Sequence, residues 1–250
     1  MKRTLLTTAF AVLAWALLPV KVWAVDYTNE RLNYEIVYQW GMVWKHAGDA
    51  TLTIKKSGNV YHSQLVGKTR SWADKLFPVR DTLKCSMNEK LQPLRYEKLT
   101  HEQDYYAHDV VTYSYYYGNT NAKGTRYRPG KPKVEINLSA KCQAYDMVSV
   151  FYMLRNLDFS KMTTTKPVST VMFSGKEKEY LTLTYKGKET IKMRDGTKHE
   201  AFRINFRFTK DGGKKSSDNI DAWLSTDARH IPLLLVGKLR FGEIKCYYKS

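Results

Sequence analysis

Apolar and polar residues alternate with a period of two along most of this chain, in segments rich in Tyr, Val, Ile, Thr and Phe that end at Gly, Asn or Asp. This period places side chains alternately on the two faces of a β-strand. The segment Leu32–Trp40 is typical, because one face carries only large apolar side chains: Leu32, Tyr34, Ile36, Tyr38 and Trp40. We expect that face to lie in a core and the other to face mostly water.

The same pattern continues through Ala47–Lys55 and Val60–Arg70, which flank the turn residues Ser57-Gly58-Asn59 and therefore predict a hairpin. Further strands are predicted over Thr82–Met87, Leu94–Glu102, Asp109–Tyr117, Lys133–Leu138, Thr170–Phe173, Tyr180–Tyr185, Glu189–Met193, Glu200–Thr209, Ile220–Ser225 and Leu233–Tyr248. No Pro- or Gly-rich linker divides them and no repeat is visible. The chain is therefore predicted to be mainly β, with one large curved antiparallel sheet or half-open barrel.

One segment, Tyr145–Arg155, breaks the period of two. Its apolar residues recur at spacings of three, one and three, which is typical of an amphipathic helix: Met147, Val150, Phe151 and Leu154. Asp146 lies near the start, where a carboxylate can accept hydrogen bonds from free amides. We expect this helix to pack on the concave side of the sheet.

The first 24 residues have the layout of a secretory signal peptide: basic residues at the start, an apolar run, and small residues before the exit at Ala24. An uncleaved anchor is the alternative, but Thr7 and Thr8 interrupt the run and Pro19 closes it, short of a membrane span. A lipid anchor would be attached to a cysteine near the junction, and the sequence has no cysteine there. We therefore expect an exported, soluble periplasmic protein whose single domain covers residues 25–250.

The net charge limits the classes of partner that such a protein is expected to bind. Removing the leader takes away three cationic residues and no acidic one, which lowers the formal net charge from +17 to +14. A strong positive charge attracts polyanions such as acidic polysaccharides and anionic lipid head groups. Export from the cytoplasm argues against nucleic acid as the binding partner. The alternative is an ordinary solvated surface, since acidic residues are interspersed and no long block of like charge occurs.

The three cysteines, Cys85, Cys142 and Cys246, are too widely spaced for a zinc ribbon or a dithiol redox motif. One disulfide with a free thiol and three buried, unreactive thiols are both compatible with this spacing. The sequence does not decide between them.

The common catalytic and nucleotide-binding motifs are absent from the sequence, so we expect neither an enzyme nor a cofactor. One polar cluster could ligate a metal if the chain doubled back: His101, Glu102, Asp104, His108 and Asp109. A polar loop between two strands is the favoured interpretation, and no metal site is predicted.

The most unusual composition is a tyrosine-rich patch followed by basic residues. Tyr113, Tyr115 and Tyr117 are predicted on one face of a strand, and Arg126 and Arg128 follow. Together they are a candidate groove for an anionic, partly apolar ligand. The alternative is cross-strand packing, because tyrosine is a good strand residue. Four tryptophans could either anchor a binding site or lie in the core, and most of them are expected in the core: Trp40, Trp44, Trp72 and Trp223.

Near the C-terminus, residues 222–232 predict a hairpin connection. The strand that contains Trp223 ends, Asp227 supplies an oxygen that can hold the turn with Arg229 beside it, and Pro232 enters the next strand where no amide is needed. An Asp, an Arg and a His so close together could suggest catalysis, but no nucleophile accompanies them. We predict a structural motif.

Five stretches resemble a family of exported bacterial proteins called domain of unknown function 3108: Asn33–Gly41, Ala47–Ala50, Tyr145–Asn156, Gly187–Thr190 and Trp223–Pro232. The resemblance covers nearly all of the mature chain but implies no activity. In layout, the family is similar to periplasmic lipoprotein carriers, which hold acyl chains in a half-open barrel; this comparison rests on fold analogy.

Two functions follow as hypotheses. The first is non-enzymatic binding of a lipid, a glycan or another envelope component, as the mouth of a barrel often allows. The second is a structural or assembly factor that recognises an envelope protein through a sheet edge or the basic face. A pocket wide enough for an acyl chain favours the first, whereas a sealed core favours the second. The oligomeric state is open.

Overall fold

The computed structural model describes residues 25, 27–210, 213, 219–239 and 241–249. The predicted signal peptide, residues 1–24, lies outside these described residues. Within them, neither helix combines the length and hydrophobicity needed to cross a membrane.

The described residues form fifteen strands and two short helices. The helices are α1 (Ser71–Asp74) and α2 (Ser149–Arg155). The strands are β1 (Asn29–Trp40), β2 (Val43–Ser57), β3 (Val60–Thr69), β4 (Arg80–Asn88), β5 (Pro93–Glu102), β6 (Tyr105–Tyr116), β7 (Asn119–Tyr127), β8 (Val134–Ala140), β9 (Ala144–Tyr145), β10 (Val168–Ser174), β11 (Glu177–Lys192), β12 (Lys198–Thr209), β13 (Ile220–Ser225), β14 (Pro232–Lys238) and β15 (Glu243–Lys249).

All fifteen strands belong to one sheet with the order β8-β7-β6-β5-β4-β3-β2-β1-β15-β14-β13-β12-β11-β10-β9. Neighbouring strands are antiparallel, apart from the short parallel pair β9 and β10. The first and last strands of the chain pair in the middle of this order, which leaves β8 and β9 as the edges. The sheet curls into a nearly closed barrel, so the predicted mainly β fold is confirmed.

Strands near the two edges contact each other and complete the barrel. The rings of Tyr113 in β6 and Phe173 in β10 stack with centroids 6.0 Å apart. Beside them, the β10–β11 turn lies over the ion pair of Asp109 with Arg126. Gly175 in that turn has φ +73°, and a Cβ atom there would lie 2.3 Å from Oδ2 of Asp109. Only glycine allows so close an approach in this backbone conformation.

Helix α2 fills the centre of the barrel, on the concave side of the sheet. The predicted helix is present but shorter than its sequence pattern, and it is not amphipathic in the usual sense. Six of its seven residues are buried. Tyr152 packs into one core cluster with strands of the N-terminal half, whereas Met153 and Leu154 pack into a second cluster with strands β10 to β13. The helix therefore joins two cores.

The alternation predicted for the first strand fails near its end. Leu32 and Tyr34 are buried as expected, but Val37 on the opposite face is fully buried and Trp40 is 64% exposed. The β1–β2 register shifts between Ile36 and Val37, which marks a β-bulge. Val37 belongs to a separate apolar cluster that also contains Ile191, Met193 and Tyr247.

Other boundaries also differ from the predictions. Strand β7 had no prediction, the two segments predicted around Gly187 form the single bulged strand β11, and the last predicted strand is two strands with a turn at Gly242. The prediction that most tryptophans are in the core is wrong: none of Trp40, Trp44, Trp72 and Trp223 is fully buried.

Candidate functional site

At the end of the barrel opposite the β1–β2 turn, a largely buried ion pair holds helix α2. The Arg155 side chain at the end of α2 is 0% exposed, and it donates two hydrogen bonds to the carboxylate of Glu30 in β1, at 2.6 and 2.8 Å. Its Nε donates to the carbonyl of Arg229 at 3.0 Å, and its guanidinium lies 4.9 Å from the ring centroid of Tyr27. The hydrogen bonds to Glu30, the hydrogen bond to the carbonyl and the contact with the aromatic ring together compensate the guanidinium charge for the hydration that it loses on burial. The end of α2 is thus attached to β1 and to the β13–β14 connection.

The other end of α2 is held by a second buried carboxylate, Asp146. Its Oδ1 accepts hydrogen bonds from the amides of Val148 and Ser149 at 2.7 and 2.8 Å, and its Oδ2 accepts one from the thiol of Cys85 at 2.8 Å. Burial raises the pKa of Asp146, and these hydrogen bonds offset part of that rise. Burial also raises the pKa of Cys85 well above its ordinary range, and the carboxylate raises it further, so the thiol stays protonated and unreactive.

We expect Asp146→Asn to change how stability depends on pH. A raised pKa means that the folded state binds this proton more tightly than the unfolded state, so wild-type stability falls as pH rises above the ordinary value of 3.8. Asparagine removes this loss. Urea unfolding at a series of pH values should show the variant gaining stability relative to wild type toward neutral pH.

The readout is how the stability difference between variant and wild type changes with pH. The difference at any single pH is not informative, because the amide nitrogen of asparagine cannot accept the Cys85 hydrogen bond at any pH. Asp195→Asn is the control. Hydrogen bonds from Thr197 lower the pKa of Asp195, so the stability difference between this variant and wild type should change only below the ordinary value of 3.8 and stay constant above it. Parallel pH profiles of wild type and Asp146→Asn would contradict the prediction.

The tyrosines of the predicted groove do not share one surface. Tyr113 is buried in the core, and Tyr115 is half-buried against it with its hydroxyl donating to the carbonyl of Pro93 at 2.7 Å. Tyr117 lies beyond the end of β6, in the turn before Gly118, with φ +46° and 86% exposure. The strand ends one residue before the pattern predicted, so Tyr117 leaves the common face.

The basic residues of the predicted groove lie toward the opposite end of the hairpin from Tyr117. In the register of β6 and β7, Arg126 lies opposite Asp109, whereas Tyr115 lies opposite Thr120. The buried carboxylate of Asp109 accepts two hydrogen bonds from Arg126 and neutralises it. Arg128 is half-buried after β7, and its Nε is buried with no hydrogen-bond partner among the described residues. The residues therefore do not form a cationic, tyrosine-lined groove.

The β13–β14 connection is organised by Asp227. Its Oδ1 accepts hydrogen bonds from the hydroxyl of Ser225 at 2.8 Å and from the amide of Arg229 at 3.1 Å. Burial raises the pKa of Asp227, but these hydrogen bonds and the Arg229 charge outweigh it, and the net pKa is lowered. Pro232 begins β14, opposite Leu224. The geometry is that of a folded turn whose carbonyl at Arg229 caps the Arg155 side chain.

Trp223 contributes to the sheet surface beside this turn. Its indole nitrogen donates to Glu189 at 2.5 Å, and the guanidinium of Arg203 lies 5.1 Å from its ring centroid. The ring therefore ties β13 to β11 and β12. These contacts indicate a structural role for Trp223.

The described residues contain no group of three or more His, Cys, Asp and Glu side chains placed to hold a metal ion. His108 instead pairs with Glu97 at 2.7 Å. Cys85, Cys142 and Cys246 are all free thiols in this structure.

Two shallow concavities are visible, both open to solvent on the outside of the barrel. The larger, of about 360 Å³, lies over the outer face of β1 to β3 and is lined by polar side chains such as Arg31, Thr51 and Gln64. The smaller, of about 310 Å³, lies between Gln39 and Lys238 at the end of the β14–β15 hairpin.

Exposed apolar side chains collect at one end of the barrel. Because adjacent strands are antiparallel, the connections after β1, β3 and β14 lie at the same end. The β1–β2 turn exposes Trp40, Met42 and Val43, of which Met42 is 98% exposed, and the β14–β15 turn exposes Leu239 and Phe241. The loop between α1 and β4 adds Leu76 and Phe77. We call these seven residues the apolar rim.

Hydrogen bonds position the parts of the apolar rim at this end of the barrel. The hydroxyl of Tyr38 in β1 donates to the carbonyl of Phe241 at 3.0 Å, which joins the two turns. The indole nitrogen of Trp72 in α1 donates to the carbonyl of His46 in β2 at 2.6 Å, which attaches α1 to β2. The two turns are therefore adjacent, and the α1–β4 loop lies at the same end of the barrel.

The architecture defines a class: a barrel-like antiparallel sheet closed around a short buried helix. A family model described as protein of unknown function (DUF3108) matches residues 33–249. The chain belongs to this family, as its sequence resemblance implied.

A solved structure shares the fold. The crystal structure of a β-barrel-like protein of domain of unknown function DUF1849 from Brucella abortus matches with a TM-score of 0.63 at 10% sequence identity, covering 89% of this chain and 96% of that one. At this identity the likeness concerns the fold alone. No curated protein matches the sequence.

Proposed function

We propose that the mature chain is a non-enzymatic periplasmic protein that binds an envelope component on its outer surface, at the apolar rim, and not inside its barrel. The layout of the first 24 residues supports export. The lack of a recognised catalytic motif and the membership of a family without a known activity support a binding role.

The observation that carries this proposal is the filled interior. The space that holds a ligand in a half-open barrel contains α2, whose Arg155 is fully buried and paired with Glu30. Opening this space for an acyl chain would break two charge-assisted hydrogen bonds and leave a buried charge without compensation, which typically costs several kcal/mol. An internal cargo is therefore disfavoured, and the outer surface remains.

Native mass spectrometry of the protein released from the periplasm of its own host tests this proposal. We expect the mass of residues 25–250 with no stoichiometric adduct, and solvent extraction of the sample should release no lipid or glycan in molar proportion. A known lipid carrier with its cargo, sprayed under the same conditions, is the control. A stoichiometric adduct that survives mutation of the apolar rim would overturn the proposal.

An envelope protein is the second candidate for the bound component, and the filled interior is the outcome expected for it. Exposed tryptophan, methionine and phenylalanine side chains are the types enriched in protein interfaces, and Trp40, Met42 and Phe241 supply them here. This candidate makes the chain an assembly factor. The charge distribution around the rim, described next, favours the first.

A further inference from the structure

The apolar rim has no evident role in the fold. Trp40 and Met42 are 64% and 98% exposed, and Phe241 is 66% exposed, so these side chains remain largely in contact with water. Proteins rarely leave several large apolar side chains together on the surface, and such clusters usually mark a site of interaction. What they bind depends on their shape and on the charges that surround them.

The shape of the apolar rim is a row of projecting turns. Trp40, Met42 and Val43 belong to a β-turn around Gly41, whose φ is +54°, and Leu239 and Phe241 belong to the turn before Gly242. Protein interfaces of high affinity typically bury their anchors in a fitted, flat patch with a polar edge. Turns that project apolar side chains beyond the body of a domain can instead enter the boundary between head groups and acyl chains.

The charge around the apolar rim is strongly positive. The segments 40–46, 70–80 and 237–245 contain seven lysine and arginine residues and only two acidic ones. Both acidic residues are paired, Asp74 with Arg80 at 2.7 Å and Glu243 with Lys245 at 2.8 Å. Arg70 is in turn paired with Asp49 of β2 at 3.0 Å, so part of the positive charge is neutralised within the protein. This balance suits a surface of phosphate groups better than an acidic or neutral peptide.

Two lysines lie over indole rings near the apolar rim, and one of them suits a membrane surface. Nζ of the exposed Lys45 lies 4.1 Å from the ring centroid of Trp72. Nζ of Lys245 lies 4.3 Å from that of Trp44, but this lysine is half-buried and paired with Glu243. A lysine beside an interfacial tryptophan can keep its stem along the apolar ring while its ammonium reaches a lipid phosphate. Cations and indole rings therefore occur at the same level of the barrel.

We infer that the apolar rim docks on a bilayer surface rich in anionic lipid, with Trp40 and Met42 entering the head-group region and the surrounding lysines contacting phosphates. This inference rests on the proposed function, since it names the envelope component that the outer surface binds. The barrel then stands end-on, with its opposite end, which bears Tyr116 and Tyr117, directed away from the membrane.

Vesicle sedimentation tests the inference with protein purified from the periplasm. Wild type should bind vesicles of phosphatidylglycerol and phosphatidylethanolamine and should bind pure phosphatidylcholine much more weakly. The double variant Trp40→Ser, Met42→Ser should lose about 30-fold or more in partition coefficient, because it removes two large apolar side chains from the surface that enters the head-group region. The matched control Tyr116→Ser, Tyr117→Ser also removes two exposed aromatic side chains, but from the opposite end, and should bind like wild type.

The charges are tested separately. Lys45→Gln, Lys238→Gln should weaken binding to the anionic vesicles by about 10- to 30-fold, since a lysine near an anionic surface contributes roughly 1 kcal/mol. Raising the salt from about 0.1 M to about 1 M, which shortens the screening length from ~10 Å to ~3 Å, should weaken wild-type binding and reduce the difference between this variant and wild type. Unchanged thermal midpoints show that the variants are folded.

Either of two results overturns the inference. One is that wild type does not sediment with anionic vesicles. The other is that the variants of the apolar rim and of the opposite end bind equally well. If, in addition, a photocrosslinker at position 42 captures an envelope protein in cells, the apolar rim binds a protein. That result would support binding at the outer surface and contradict the lipid inference. The stoichiometric adduct described above, which survives mutation of the apolar rim, would instead contradict binding at the outer surface.

Discussion

Replacing Glu30 by glutamine is expected to lower the free energy of unfolding by about 3–5 kcal/mol, the range found when one partner of a buried ion pair is removed. The Arg155 side chain is 0% exposed, so after the substitution its charge would remain in the core without a counter-charge. Urea unfolding followed by tryptophan fluorescence measures the loss. The effect is large because Glu30 and Arg155 join β1 to the end of α2 across 125 residues of sequence.

Glu89→Gln is the matched control, because it removes the same charge from the exposed pair with Lys56. Exposed pairs contribute about 0–1 kcal/mol, so this variant should be nearly neutral. Replacing both buried partners, with Glu30→Gln and Arg155→Met together, should recover part of the lost stability, because no buried charge then remains. Equal effects of Glu30→Gln and Glu89→Gln would show that the buried pair does not hold the helix.

The second large effect is expected at Gly124 in β7. A Cβ atom there would lie 1.9 Å from the carbonyl oxygen of Val110 and 2.8 Å from Cα of Val111, both backbone atoms of β6. Backbone in a paired strand cannot move aside as a flexible side chain can. We therefore expect Gly124→Ala to destabilise the protein by about 3 kcal/mol, at the upper end of the effects of overpacking.

Gly67→Ala is the control for this prediction. Gly67 also lies within a strand, β3, but a Cβ atom there would meet nothing within 4 Å. Alanine should be neutral there or stabilise the protein by up to about 1 kcal/mol, because it restricts the unfolded chain. Thermal or urea unfolding of the two variants side by side gives the comparison. Similar stabilities would mean that β6 and β7 are not as closely apposed as the structure has them.

Local patterns predicted most of the fold, and their failures have physical causes. Strands with alternating apolar residues, such as β1 and β12, were found from sequence because alternation directly reports a half-buried strand. Strand β7 was missed, since its sequence NTNAKGTRY contains asparagine, glycine and lysine and only one aliphatic side chain. Its place in the sheet comes from pairing with β6 and β8, which a local pattern does not contain.

The candidate groove depended on where one strand ends. Tyr113 and Tyr115 share the inner face as their spacing predicts, but the left-handed backbone at Tyr117 ends that alternation. Arg126 is recruited by Asp109, which lies opposite it only in the folded register. The apolar rim was also missed: Trp40 and Met42 look like core residues in a sequence, and only their position at the tip of a hairpin exposes them.

By itself, the sequence determined the β-rich class, the presence of a helix near residues 145–155 and the resemblance to the family, because periodicity and motifs are properties of neighbouring residues. The tertiary structure decided that the helix fills the barrel, that Arg155 meets Glu30, and that the tips of three distant segments form one apolar rim. These features depend on bulges, on register and on contacts between residues far apart in the chain. The free energies that select such contacts arise only when the whole barrel closes.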